Sequence, residues 1–550
     1  MYMRTISRTN KDGSKVEYVQ LAHNVRDPHK GYSKAEVIHS FGRRDQLDLE
    51  AIRRLISSMS RFLGPEEALQ AQAKPGGDSL AKYVRSWQAG GPILLRGLWD
   101  RLNIPEALHK ALRGRQFTTA VEEAIFAMVA NRALAPSAKL HIEDWARDSV
   151  ALGNSEPLQV HHFYRAMDFL LEHAEAIQKK VFWATANLLN LEVDLVFFDT
   201  TNIYFEIDDP EDSELKRFGN SKEKRDDLPL VTIGLAVTRQ GIPVKCWVLP
   251  GNQHDAKSVK QVQEELSGWR LGRVVWVMDR GMTSSENKRT LQRAGGDYIL
   301  GEKLRGNHDS EEALRRGGRF RVVKDNLQVK EVVLGQNATR RRYVILYNPE
   351  EAERDKATRE RILNRITQEL EAIEALPARH QPQARKELLA HRSMGRYVKE
   401  LKNGRIKINK AKVKDDAKLD GKHLVSSSND ELSAEDLALG YKQLLDVERA
   451  FRTMKTSLEI RPVYHRRDDR ISSHVYLCWL ALLLIRVAET ETGQTWDRIR
   501  YQMEQLRLGE FLSEKNRYFQ HTELTPQQRS LLKKLKIKPP KTIKSIEDRA

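Results

Sequence analysis

The sequence predicts an α/β protein, and three observations carry that prediction. The stretch Leu195-Val196-Phe197-Phe198-Asp199 reads as a strand buried on both faces, four apolar residues followed at once by a carboxylate. Val274-Val275-Trp276-Val277-Met278-Asp279 repeats that pattern further along. Between and after the two runs, hairpin and helix signals alternate in the order β-β-β-α-β-α-β. An ionised Asp beside a buried strand costs several kcal/mol unless a partner compensates it, and a metal ion is one such partner. Each Asp alone has a plainer reading, because Asp-Thr-Thr-Asn and Asp-Arg-Gly are both good turn chemistry. The pair shifts the balance toward a shared site.

Composition bounds the rest. A chain of 550 residues calls for two to four domains. Its net charge of +17 and pI near 9.6 favour a polyanionic partner, nucleic acid being the commonest. Cys246 and Cys478 stand far apart without Cys/His clustering, which argues against a disulfide framework or a structural zinc site. The polar start carries no apolar signal core. The longest apolar run, Val475 to Val487, is short for a membrane span and contains Arg486, so it reads as a buried core helix. A soluble, cytoplasmic protein with no membrane partner is expected.

Residues 1–73 read as a small α+β module: two strand-like runs within 14–42 and a helix from Leu47 to Leu63. It either reads DNA ends or packs as a plain domain. Lys74-Pro75-Gly76-Gly77 reads as a linker. Residues 79–190 read as mostly helical, with Leu94, Leu95, Leu98 and Leu102 on one face and Arg96, Arg101, Lys110, Arg113 and Arg115 interleaved. That region is a DNA-binding domain or a set of solvated helix faces.

The core is expected over 191–304 and 431–495. Strand one, Leu195–Asp199, is followed by an apolar run at Ile203–Ile207 and a charged loop. Strands Leu230–Thr238 and Ile242–Leu249 flank the turn Arg239-Gln240-Gly241. A helix from Ala256 to Trp269, the strand ending at Asp279, a helix capped by Ser284 or Ser285, and a strand at Tyr298–Leu300 complete it. This is the element order of the ribonuclease-H-like fold, in which strands one and four lie side by side and parallel. Neighbouring strands are about 4.8 Å apart, so Asp199 and Asp279 at matched heights can share cations.

Residues 305–430 read as an inserted β-containing domain: strands at Phe320–Lys324, Leu327–Leu334 and Arg342–Tyr347, a charged helix over Glu350–Leu389 and a basic run at Arg405–Lys414. The insertion's basic face suits phosphates. A helix opened by Ser433-Ala434-Glu435-Asp436 then carries Tyr441, Glu448 and Lys455 every seven residues, on one stripe. The plainer reading of Glu448 is an ion pair with Arg452 at i+4. Residues 496–550 read as a helical region with a flexible basic tail. Competing carboxylates fit less well: Glu206, Asp208 and Asp209 fall at or past a strand end, Glu459 lies off the helix stripe, and His254-Asp255 reads as a hydrogen-bonded loop pair.

Together these residues resemble the bacterial insertion-sequence DDE transposases, in the IS-four family branch with a Tyr-Arg-Glu-Lys signature. Tyr441, Glu448 and Lys455 match the signature, while Leu444 stands at the Arg position, which Arg452 or Arg449 would compensate. Asp199-Thr200 and Asp279-Arg280-Gly281 resemble the family's first two acidic motifs. Gly219-Asn220-Ser221-Lys222 with Arg225-Asp226-Asp227-Leu228-Pro229 resembles its loop after strand one, and Gly251-Asn252…Asp255 the opening of its first core helix. The resemblance implies an enzyme that cleaves the ends of an insertion sequence and joins the 3′-OH ends to target DNA. It implies two Mg²⁺ ions, with Mn²⁺ as a substitute, held by the catalytic residues Asp199, Asp279 and Glu448. Tyr441, Lys455 and Arg452 would bind DNA phosphate. The implied partner is double-stranded DNA, as terminal inverted repeats and target, bound by a homodimer or higher oligomer at the bacterial nucleoid. A structure-specific nuclease on the same core and a non-catalytic, domesticated DNA-binding protein are the alternatives.

Overall fold

Apolar runs of β-branched and aromatic residues, punctuated by Gly and Pro turns, dominate the chain's centre, and they assemble there into one large sheet. The computed structural model describes residues 1–26, 31–60, 62, 81–114, 120–153, 157–191, 194–207, 213–222, 224–269, 271, 274–293, 295–336, 340–513 and 516–548. The expected linker at 74–77, Leu63, Arg115, Asp208 and Asp209 lie outside the described residues. The chain divides into two units, Met1–Ser86 with Gly509–His521 and Lys541–Ala550, and Trp87–Leu508 with Thr522–Pro540.

Strands are numbered along the chain. The first four are β1 (Tyr2–Thr9), β2 (Lys15–Arg26), β3 (Ser33–Arg43) and β4 (Lys82–Gln88). Next come β5 (Leu195–Tyr204), β6 (Leu230–Thr238), β7 (Pro243–Pro250), β8 (Val275–Met278) and β9 (Asp297–Glu302). Then follow β10 (Arg321–Lys324), β11 (Leu327–Leu334), β12 (Arg341–Tyr347), β13 (Val398–Glu400), β14 (Ile406–Ile408) and β15 (Lys422–Ser427). The last three are β16 (Arg507–Leu512), β17 (Asn516–His521) and β18 (Ile543–Asp548).

In the smaller unit β1, β2 and β3 form an antiparallel sheet, followed by a helix at Leu49–Ser60. A four-stranded sheet runs in the order β18-β17-β16-β4. The segment 496–550, expected as a helical region with a basic tail, thus also carries strands β16, β17 and β18, and its basic run begins in the helix Pro526–Lys534 and ends in β18. The rings of Phe511 and Tyr518 stack at 5.3 Å, and the buried Glu510 takes Arg85 at 2.9 Å and Arg517 at 2.7 Å. The Arg85–Glu510 pair joins segments far apart in sequence, which local polarity does not reveal.

In the larger unit the principal sheet has the order β10-β11-β12-β15-β9-β8-β5-β6-β7. Its strands β5, β8 and β9 are mutually parallel, and β6 and β7 extend it antiparallel. Strands one and four of the expected order are thus neighbours. Leu195 to Tyr204 is one continuous strand, so the run at Ile203 belongs to strand one rather than to a separate element. Alternate β5 side chains enter two cores. Phe197 belongs to the core that holds Val277, Leu437 and Leu477, whereas Phe198 belongs to the one with Phe182 and Trp276, its ring edge-on to Trp247 at 5.6 Å.

The segment 305–430, expected as an inserted β-containing domain, contributes its strands to the core's own sheet. β10, β11, β12 and β15 continue the principal sheet, because β15 pairs antiparallel with β9. An uncovered edge on β9 would leave a row of unpaired backbone groups, and β15 takes that place. The helices Pro349–Ala375, Gln381–Ala390 and Lys410–Ala417, with the β13-β14 hairpin, keep a small apolar cluster of their own around Ile366, Leu388 and Tyr397.

The helical region likewise shares a core with the sheet. Its helix Val121–Leu134 buries residues on every face, as an all-round apolar helix must. It packs on the helix Asp468–Thr492, which exceeds the expected length. That helix is long and apolar enough to cross a membrane, yet 83% of its most apolar window is buried inside the protein. Its Arg486 leaves the apolar stretch to bond the Gly241 carbonyl at 3.2 Å and Glu489 at 2.8 Å. Leu480 is fully buried there. Leu480→Ala is expected to destabilise this unit by about 2–5 kcal/mol, read as a lowered midpoint in thermal or urea unfolding.

Candidate active site

The site begins with a difference in strand length. β5 and β8 pair in parallel through Phe198 and Met278, and β8 ends there. One residue further, Asp199 and Asp279 stand level on adjacent chains. β5 continues to Tyr204, paired with β6 through Asp199↔Leu235 and beyond. Asp199 is therefore a mid-strand residue, not the end of a strand or the start of a turn. Thr200, Thr201 and Asn202 after it are buried. The side chain of Asp199 is 20% exposed and accepts the Thr200 N–H at 2.7 Å.

Tyr441 fixes the second carboxylate. Its hydroxyl donates to Asp279 Oδ1 at 3.1 Å. Burial is the main cause that pushes the phenol's pKa up, and the negative charge of Asp279 adds to it, so the donor keeps its proton through the neutral range. Gly301 in β9 makes room for the ring. A Cβ at this position would come within 2.3 Å of the Tyr441 hydroxyl and 3.1 Å of the Arg280 amide nitrogen.

Glu448 lines the same cavity, of about 530 Å³, as Asp199, Asp279, Arg280, Glu302 and Tyr441. The single helix expected through Tyr441 and Lys455 is in fact two, Ala434–Lys442 and Leu445–Lys455. Between them the N–H groups of Leu444, Asp446 and Val447 bond three residues back, to Tyr441, Gln443 and Leu444. This tightening gives about three residues per turn instead of 3.6 across the junction, and Tyr441 and Glu448, one on each helix, line the same cavity. Glu448 is exposed to the cavity, and among the described residues it has no ion-pair partner, so the pair with Arg452 does not form. Arg452 and Lys455 do not line the cavity. Lys455 lies seven residues beyond Glu448, about 10 Å along the helix. Leu444, at the signature's Arg position, is a buried wall residue.

Several site residues escape the sequence reading. Glu302 is buried against Ser426 at 2.6 Å and Lys288, because β9 runs two residues past the expected Leu300. Leu327, Leu346 and Leu424 of the extended sheet form the far wall. Lys222 reaches Asp199 Oδ1 at 3.5 Å, and its Gly-Asn-Ser-Lys motif was the available signal. Of the competing carboxylates, Glu206 and Glu459 are exposed and do not line the cavity.

Three carboxylates on one cavity, without His or Cys among the three, are hard oxygen donors of the kind Mg²⁺ or Mn²⁺ takes, so the donor chemistry fits. As arranged, no three His, Cys, Asp or Glu side chains among the described residues converge closely enough to hold an ion.

Two carboxylates level on adjacent chains, and a third on the same cavity, make a three-carboxylate candidate site. Residues 210–484 match the transposase DDE domain, and residues 3–72 match the N-terminal domain of the IS1634 family transposases. The first match spans half of the chain, and the protein belongs to that family: it is an insertion-sequence DDE transposase, a DNA transposase enzyme. The matched segment contains Asp279, Tyr441 and Glu448, and Asp199 precedes it. No curated protein matches the chain. Among the matching solved structures is a piggyBac transposase synaptic complex with hairpin DNA, at 10% identity and a TM-score of 0.36, covering 78% of this chain and 82% of that one.

Two outcomes test this geometry. Gly301→Ala is expected to displace Tyr441 and to lower DNA cleavage by about tenfold or more, measured beside Tyr441→Phe, which removes the hydroxyl and keeps the backbone. Tyr441 with its raised pKa stabilises the fold fully below pH 10, and that contribution is lost as pH climbs toward the folded value. In an alkaline titration followed by tyrosinate absorbance, the wild type minus Tyr441→Phe difference should show no tyrosinate at pH 10.

Proposed function

We propose that this transposase cuts the ends of an insertion sequence and joins the freed 3′-OH ends to target DNA by two-metal-ion phosphoryl transfer. The observation that carries the proposal is the level placement of Asp199 in β5 and Asp279 directly after β8, with Glu448 on the same cavity. The order β7-β6-β5-β8-β9 supports a ribonuclease-H-like reading of the core at 191–304 and 431–495. Tyr441, Glu448 and Lys455 support placement in the IS-four branch.

Asp199, Asp279 and Glu448 would hold the divalent cations. When bound, these would activate the attacking oxygen and stabilise the leaving one. Tyr441 holds the Asp279 carboxylate in one orientation by its hydrogen bond, so that group is set before DNA arrives. Arg280 and Lys442, both exposed on the cavity, present cations to a backbone phosphate. Arg452 and Lys455 stand outside the cavity, where they would track DNA beyond the reacting phosphate. The buried β11, β12 and β15 wall limits water on the far side. The chain's positive charge favours double-stranded DNA, both element ends and target, held by a homodimer or larger assembly at the cytoplasmic nucleoid.

Asp199→Ala, Asp279→Ala and Glu448→Ala should each lower cleavage and joining by about a hundredfold or more while leaving DNA binding in place. A strand-transfer assay with the DNA flanking the gene reads both steps. Joined products support this reading, and cleavage without joining would assign a nuclease instead.

A further inference from the structure

We propose that Lys222 is a positioning residue of this site: its ammonium is the resident counter-cation of Asp199 and yields that place to a divalent cation as the site loads. The proposal rests on the reading of Asp199 as a metal-holding carboxylate. Lys222 Nζ lies 3.5 Å from Asp199 Oδ1 and 2.9 Å from Thr200 Oγ1, and it also donates to the Thr200 carbonyl. Three oxygens of two consecutive residues thus face one cation. A carboxylate, a carbonyl and a hydroxyl are also the hard donors a divalent ion accepts.

The loop before β6 delivers this lysine by backbone contacts. Asp468, at the start of the long core helix, accepts from the Ser213 hydroxyl at 2.5 Å and from the Glu214 and Leu215 amides at 2.8 and 3.1 Å. The Gly251 N–H bonds the Leu215 carbonyl at 3.0 Å. Gly219 and the Gly251 turn lie so close that a Cβ on Gly219 would meet the Gly251 carbonyl oxygen at 2.5 Å. Two sequence motifs, Gly-Asn-Ser-Lys and Pro-Gly-Asn, are therefore one packed unit. Beyond it the Lys222 N–H reaches Asn202 Oδ1 at 3.4 Å, and Asn202 is itself held to Thr232 at 2.9 Å. The backbone at Lys222 is fixed to the strand that carries Asp199.

The side chain is different. It is 40% exposed and has four rotatable bonds, so the ammonium can swing away without moving the loop. A divalent cation on Asp199 would stand within a few ångströms of it, and like charges at that distance repel strongly. The two cations cannot both occupy the carboxylate, so they exchange. Until they do, Lys222 offsets the charge of a half-buried carboxylate and holds its orientation.

The test is Mn²⁺ titration of the full chain without DNA, read by the electron paramagnetic resonance signal of free Mn²⁺. Lys222→Met is expected to bind Mn²⁺ about fivefold or more tighter than wild type, as the loss of a competing cation requires. Lys222→Gln should do the same, and Lys222→Arg, which keeps the charge, should titrate near wild type. Adding Asp199→Asn to Lys222→Met should erase the gain. Equal or weaker Mn²⁺ affinity in Lys222→Met and Lys222→Gln, with circular dichroism and melting unchanged, overturns the proposal. A lysine that merely braced the loop would lower the melting temperature without raising Mn²⁺ affinity, and that result overturns it too. If Asp199→Asn abolishes Mn²⁺ binding while the Lys222 variants change nothing, this proposal alone falls. If Asp199→Asn leaves wild-type Mn²⁺ binding intact, the metal reading of Asp199 falls and takes the proposal with it.

Discussion

Two carboxylates set level on neighbouring strands of a sheet buried on both faces are the constraint on which the rest of this structure depends. Like charges about one strand spacing apart repel, and the low-dielectric surroundings strengthen that repulsion. Each acid is accordingly met by its own partner, Asp199 by Lys222 and the Thr200 amide, Asp279 by the Tyr441 hydroxyl. Those partners in turn dictate features elsewhere. Tyr441 requires the bare backbone of Gly301, and Lys222 requires the close approach of Gly219 to the Gly251 turn.

Strand length turns this constraint into a cavity. β8 stops at Met278 while β5 runs on to Tyr204, so the first acid is held mid-strand and the second is released into the turn. The extra strands beyond β9 then close the far side with Leu327, Leu346 and Leu424. What the order of elements presents as an insertion is thus partly a wall of the site. Its helices and the β13-β14 hairpin keep a separate apolar cluster and project a charged surface suited to a polyanion.

Legibility followed the range of the forces involved. The runs at Leu195 and Val275 were readable because a strand buried on both faces needs near-continuous apolar residues, and their carboxylates stood out against that background. Glu302 was not readable, since its partners Lys288 and Ser426 come from other elements. The stripe through Tyr441, Glu448 and Lys455 was legible as a period of seven, but the tightened turn at Gln443-Leu444 that divides it into two helices was not. No residue there is a helix breaker, so local propensity gave no warning. In the closing segment, the placement of β16 beside β4 was hidden for the same kind of reason, since β4 lies at the other end of the chain.

The sequence by itself determined the α/β class and the order of the core elements, and it singled out Asp199, Asp279 and Glu448 as candidate acids, because these follow from periodicity and from the cost of burying charge. Tertiary structure decided how far each strand runs, which edge the later strands extend, and where the helix through Tyr441 and Glu448 turns. It also decided that Lys222 faces Asp199. Backbone pairing and close glycine contacts between distant segments set the strand lengths, the extended edge and the place of Lys222, and neither leaves a local signature in the chain.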